Sequence, residues 1–215
     1  MSLQTIIDKS QTIEIDRRRV VGQTISRSQR IKTAERASAQ PWKFTVTPPA
    51  YLKWSSSRDL IEMIDQGDRV DEYTIKLSNT ANMNYITSYQ GQLNKADIDS
   101  MAIHAVGTDT FTLRTLPAVS SGTVIFAKGD YIQPANSRYP YTVAETCTRG
   151  VNTTTSVLLH RNVITSEGIT LTGQNLVYGN TCTWRVIVSG LPTYQLTPMQ
   201  LVQYTGNFEL IERIV

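Results

Sequence analysis

The sequence predicts a mainly β protein, and three observations carry that reading. Threonine occurs 28 times in 215 residues, with frequent Tyr and Val, side chains that suit a pleated, half-buried surface. Apolar residues alternate with polar ones at period two in several separate runs. Helical spacing is clear in one segment only.

The alternating runs come in chain order. Ile13 and Ile15 flank Glu14; Trp42, Phe44 and Val46 alternate with Lys43, Thr45 and Thr47. Tyr73, Ile75 and Leu77 alternate with Thr74, Lys76 and Ser78, and Trp184, Val186 and Val188 repeat the pattern, with Ile187 the exception. Each run places its apolar residues on one face, as a strand covering a core requires. The helix is predicted over residues 57–66. Ser56-Ser57-Arg58-Asp59 offers a capping-box-like start, Leu60, Ile61, Met63 and Ile64 form a stripe, and Gly67 supplies a left-handed stop. Pro48-Pro49 ends the Trp42 strand and Gly190-Leu191-Pro192 ends the Trp184 strand. Thr205-Gly206-Asn207, between apolar runs at 201–204 and 208–214, predicts a carboxy-terminal hairpin. Between about residues 80 and 180 the texture changes to short strand-like pieces at 110–115, 123–127, 131–133, 141–146, 156–159 and 169–171. Polar, Gly- and Asn-bearing turns separate them, a spacing that predicts a small barrel or sandwich.

Composition narrows the class of protein without naming a function. At 40% hydrophobic residues a chain of this length buries roughly 70% of its unfolded surface. Two cysteines make no disulfide framework, and the start, MSLQTIIDKSQ, shows no signal-peptide pattern; a soluble protein made in a reducing cytoplasm is expected. The apolar runs are too short to span a bilayer as helices, so no membrane insertion is expected. The net charge of +3 is unevenly distributed. Residues 1–54 sum to +6, residues 55–100 to −4 and the remainder to +1. Such segregation suits a subunit that meets its neighbours head to tail.

The chemistry-bearing residues assemble into no catalytic signature. His104, Cys147, His160 and Cys182 lack metal-ligand spacing, so no metal and no cofactor is expected. No nucleophile elbow or phosphate-cradling loop is present. Asp97 and Asp99 are read as two carboxylates on one face of an extended, solvated turn. Asp65, Asp68, Asp71 and Glu72 cluster without the ligand order of a calcium loop. Asn152-Thr153-Thr154 is a chance sequon. Arg17, Arg18, Arg19, Arg27, Arg30, Lys32 and Arg36 make a basic stretch, but no aromatic residues are interleaved to stack bases. Arginine outnumbers lysine 14 to 7, which favours bidentate pairing with carboxylates at protein interfaces over nucleic acid.

Three stretches carry a resemblance. The first is 12–46, closing on Gln40-Pro41-Trp42-Lys43-Phe44-Thr45-Val46-Thr47-Pro48 and followed by the helix and the Tyr73 strand. The second is Lys128-Gly129-Asp130-Tyr131-Ile132-Gln133 with Tyr139-Pro140-Tyr141-Thr142-Val143. The third is the close, Trp184 to Val188, Leu191-Pro192-Thr193-Tyr194 and Gly206-Asn207-Phe208-Glu209-Leu210. Together the chain resembles the distal tail and tail-hub proteins of the bacteriophage tail tip or baseplate.

That resemblance implies a discontinuous, tail-tube-like β-sandwich or barrel domain with one short α-helix, from residues 1–80 and 181–215. A small β-barrel domain, OB-like or sandwich, is inserted over 81–180. It implies a non-enzymatic virion protein forming a homo-oligomeric ring, hexameric or alternatively trimeric. Its partners would be the tail tube, the hub, and fibre or tape-measure proteins. Charge segregation adds that Arg17, Arg18, Arg19, Arg27, Arg30 and Arg36 of a long hairpin pair with acidic groups around Asp65, Asp68, Asp71 and Glu72 of a neighbour. The alternative is a carbohydrate- or receptor-binding module on the tail, with Tyr131, Tyr139 and Tyr141 as platforms. A cell-wall hydrolase ranks third, for want of a carboxylate pair at defined separation.

Overall fold

The computed structural model describes residues 3–18, 40–66, 70–77, 83–165 and 168–215, and the backbone alone at 21–25 and 31–35. The chain begins with α1 (Gln4–Lys9), β1 (Thr12–Asp16), β2 (Val21–Ile25), β3 (Ile31–Glu35), β4 (Lys43–Thr47), β5 (Leu52–Lys53), α2 (Arg58–Asp65) and β6 (Tyr73–Ile75). Its middle holds α3 (Lys95–Ser100), β7 (Ala102–Val106), β8 (Thr110–Arg114), β9 (Val124–Phe126), β10 (Tyr131–Pro134), β11 (Tyr141–Thr142), β12 (Cys147–Thr148), β13 (Thr155–Leu158) and β14 (Leu176–Tyr178). It closes with β15 (Trp184–Gly190), β16 (Thr193–Thr197), β17 (Leu201–Thr205) and β18 (Phe208–Glu212). The protein is mainly β, with several antiparallel sheets and a few short helices.

The largest sheet takes strands from both ends of the chain, in the order β1-β4-β18-β15-β6. Register explains its hydrophobic face. Ile13 stands opposite Val46, Ile15 opposite Phe44, and Leu210 opposite Phe44 on the other side, so alternate residues from three strands share one face. A second sheet, β16-β17-β5, brings Leu52, Val202 and Tyr204 to the same core, and α2 adds Leu60, Ile61 and Met63. A second buried core, around Phe111, Phe126, Tyr139 and Tyr141, is built from residues 93–176. The named strands alone draw no closed barrel among the described residues: β7 to β14 are two to five residues long and pair in sheets of two or three strands, and isolated bridges at Ala102–Asn175 and Val143–Leu159 join the β13-β8-β7 and β11-β10-β14 sheets at both edges.

Local differences from the sequence reading have physical causes. The helix runs from Arg58 to Asp65, but Ser57 does not cap it, because a 3₁₀ turn at Trp54–Ser56 carries Ser57 into the core, fully buried. The Gly67 stop lies outside the described residues. Two further short helices form. In α3, Asn94 is the cap, its side chain accepting from the Asp97 amide at 2.9 Å, while Lys95 and Asp99 pair one turn apart. Asp97 and Asp99 are thus helical, and two residues apart on a helix they point in nearly opposite directions. The segment 169–171 forms no strand.

The carboxy-terminal hairpin does not form between β17 and β18. Gly206, at φ +98°, turns the chain from one sheet to the other, with the Tyr204 and Phe208 rings 6.1 Å apart across the corner. The partner of β17 is β16, and the connection between them bends through Met199 and Gln200 at φ 68° and 58°. Among the described residues no helix is long and apolar enough to cross a membrane.

Candidate interaction site

The 17–36 hairpin is present as β2 and β3, paired antiparallel with each other and with no third strand among the described residues. Its root is anchored to the body. Arg17 donates through Nη1 to Thr142 Oγ1 at 2.7 Å, with its guanidinium 5.5 Å from the Trp42 ring centre. Arg18 instead grips Asp16 of its own chain through two hydrogen bonds of 2.9 and 3.0 Å. That pair holds the Asp16 carboxyl down at about 2, below its ordinary 3.8. Arg19, Arg27, Arg30, Arg36 and Asp68 lie outside the described residues.

The acidic partners expected for the hairpin have ligands within the chain. Glu72 meets three arginines that sequence reasoning did not single out: Arg185 at 2.7 Å, Arg213 at 3.7 Å and Arg138 at 4.0 Å. No local motif signals this cluster. It arises because β15 pairs with β6 at Arg185 and Thr74, and Arg213 follows β18 beside Arg185, its amide donating to the Arg185 carbonyl. Asp65 accepts from the Tyr194 hydroxyl at 2.9 Å, tying the end of α2 to β16. Asp71 also has an interaction within the chain.

Tyr131, Tyr139 and Tyr141 are core residues, 7%, 0% and 0% exposed, so they present no platform to a ligand on this chain. Tyr131 lies 5.8 Å from Trp42, Tyr139 accepts from the Val215 amide, and Tyr141 accepts from Ile164. The ligand-platform expectation fails at all three: β10 and β11 are buried on both faces, and Tyr139 lies buried in the turn between them. Burial pushes the Tyr141 hydroxyl up to about 12, and Tyr89 likewise, from an ordinary 10.0. Tyr89 donates to the Ile125 carbonyl beside Gly91, where a Cβ would collide with both groups.

The sign of the pH effect follows directly. A phenol whose folded value is raised stabilises the fold in full below its unfolded value near 10, and that contribution is lost as pH rises through about 12. Absorbance titration at alkaline pH is expected to show tyrosines ionising late, together with loss of structure. All ten titrating as one class near 10 in the folded protein would refute it.

Cys147 and Cys182 are buried, and burial pushes both thiols up. Among the described residues His104, His160 and the cysteines do not gather into a metal-binding group.

Among the described residues the least protected edge of the two main sheets is β16. It is an outer strand with the uncharged sequence Thr-Tyr-Gln-Leu-Thr, free of proline, and it pairs in register with β17 along its length. The other edges of the two main sheets differ. β1 carries Glu14 and Asp16, while β6 and β5 are three and two residues long. Short or charged edges resist strand addition; β16 has neither protection. Leu196 on this strand is 62% exposed and Met199 in the following turn 91%. The hydrogen bond to Asp65, with Glu62 also near on α2, raises the Tyr194 hydroxyl, giving the edge an acidic flank.

No protein-family model matches the chain, and no curated protein matches it in sequence.

Proposed function

We propose that this chain is a non-enzymatic structural protein of a bacteriophage tail tip or baseplate, and that it assembles into a ring joining the tail tube to the host-recognition apparatus. The observation that carries assembly is the uncharged β16 edge with exposed Leu196 and Met199 beside an acidic flank. Its occupant is a second copy of the chain. The complementary charge is on the same molecule, in residues 1–54 at +6, and the β2–β3 hairpin is a two-stranded sheet that is marginal in water without a partner. In this reading residues 1–80 and 181–215 form the tail-tube-like unit, supported by a sheet that interleaves strands from both ends, and 81–180 is the insert with its own core. Tail tube, hub, and fibre or tape-measure proteins are its further partners in the virion. Arginine pairing in trans falls to the hairpin, since Glu72 is already neutralised in cis.

Sizing and particle imaging of the purified chain test the reading. Closed rings are expected, six-membered or three-membered, and Leu196→Lys or Gln195→Pro is expected to disperse them while leaving the monomer folded. A chain that stays monomeric at every concentration and is equally unaffected by both substitutions overturns it.

A further inference from the structure

At the root of the hairpin lies a cavity of about 350 Å³ lined by Arg17, Lys128, Gly129, Thr142, Val143, Ala144 and His160. We infer that it is an oxyanion site, taking a carboxylate or phosphate group against the Arg17 guanidinium and the Lys128 ammonium. The inference goes beyond ring assembly and does not depend on it.

The Thr142 carbonyl accepts from the His160 amide at 3.0 Å, and the Val143 carbonyl from the Gly129 amide at 2.8 Å. The Thr142 hydroxyl accepts from Arg17 at 2.7 Å. His160 Nδ1 accepts from the Thr142 amide at 2.9 Å, so that lone pair is engaged and the neutral ring carries its proton on Nε2. Each of these lining acceptors therefore already holds a donor. The cations are richer in donors. A guanidinium has five N–H groups and an ammonium three, and the hydrogen bond to Thr142 uses one of Arg17's.

Among the described residues no carboxylate lines the cavity. The two acids nearest its cations in sequence are engaged elsewhere. Asp16 is gripped by Arg18, and Asp130 accepts from the Gln90 and Ala127 amides, both at 2.8 Å. A cavity lined by two cations, with no carboxylate among its described lining residues, selects an anionic acceptor over a neutral or cationic ligand.

Arg17 is also held in place before any ligand arrives. Its guanidinium rests against the buried Trp42 ring and is pinned by Thr142, so little rotamer freedom remains to be lost on binding. The planar fork suits the two oxygens of a carboxylate or phosphate. The shared chemistry has two sources, a free small anion and an acidic side chain of a protein partner.

Amide-resolved NMR tests the site at constant ionic strength. Inorganic phosphate, acetate and a blocked Gly-Glu-Gly peptide are titrated separately, with chloride as control. Saturable shifts confined to Lys128, Gly129, Thr142, Val143, Ala144 and His160 are expected, with affinity lowered at least about tenfold in Arg17→Gln and Lys128→Gln. Lys128 is exposed, so its variant reports binding even if Arg17→Gln unfolds. Tighter binding of the peptide than of acetate and phosphate assigns the site to a partner's carboxylate; tighter phosphate assigns it to a free anion. Shifts no larger than those with chloride, or full affinity in Lys128→Gln, overturn the inference. The readout needs only the folded chain, so failure of the site and failure of the ring are separately visible.

Discussion

Glu212→Ala is expected to destabilise the fold by about 3–5 kcal/mol, as breaking a buried ion pair from one side does. Glu212 is 0% exposed and Arg161 5% at the side chain. The pairing is fork to fork: Arg161 Nη2 donates to Oε1 at 2.8 Å and Nη1 donates to Oε2. The Trp42 amide also donates to Oε2, at 3.1 Å. Arg161 reaches further, to the carbonyls of Gln40 at 2.9 Å and Pro140 at 2.8 Å. This one pair thus joins β18 and the lead-in to β4 with the middle of the chain. Removing the carboxylate leaves a guanidinium buried without its counter-charge, which is the costly event. The double variant Arg161→Met/Glu212→Leu removes both charges and is expected to lose clearly less than Glu212→Ala alone. Urea denaturation measures both, and a loss below about 1 kcal/mol in Glu212→Ala would sink the account.

Trp42→Ala is expected to cost a similar amount, about 3–5 kcal/mol, for a different reason. Trp42 is fully buried, and its ring lies 5.1 Å from His160, 5.7 Å from Trp184, 5.8 Å from Tyr131 and 6.2 Å from Phe44. Arg17 and Arg161 approach it as well, at 5.5 and 5.7 Å. Its loss opens a cavity where the terminal sheet meets the middle segment, and it removes the aromatic face against which both guanidinium groups lie. Trp42→Phe keeps an aromatic ring there and is expected to lose less than half as much. Because Trp42 and Glu212 share Arg161, their effects are expected to be non-additive in a double-mutant cycle. Additivity within about 0.5 kcal/mol would mean that the two act independently. Native domains are held by about 5–15 kcal/mol in total, so either alanine variant leaves the fold marginal.

Both predictions rest on residues with unequal sequence signals. Trp42 was legible, because its strand alternates cleanly and one face of that strand is solvated. Arg161 and Glu212 were not. They are 51 residues apart, and a buried charge looks like any surface charge until its partner is placed. The Glu72 cluster has the same character, assembled from residues 138, 185 and 213 by strand register. The anion cavity likewise needed Arg17, Lys128 and Thr142 to come from three separate turns and strands. The tyrosines failed for another reason. Composition reports that a ring is present, but only burial on both strand faces decides whether it is a platform or a core residue.

Local periodicity and turn chemistry by themselves determined the β class, the positions of β1, β4, β6 and β15, and the existence of α2. Those signals act over two to four residues, the range at which side-chain direction and backbone preference are set. Tertiary structure alone decided that β17 pairs with β16 and not β18, that the short middle sheets are bridged edge to edge, and which arginines meet which carboxylates. Pairing and burial depend on what the remote chain brings alongside. A turn such as Thr205-Gly206-Asn207 can close a hairpin or turn a corner between sheets, and the core shared by Tyr204 and Phe208 selects the corner.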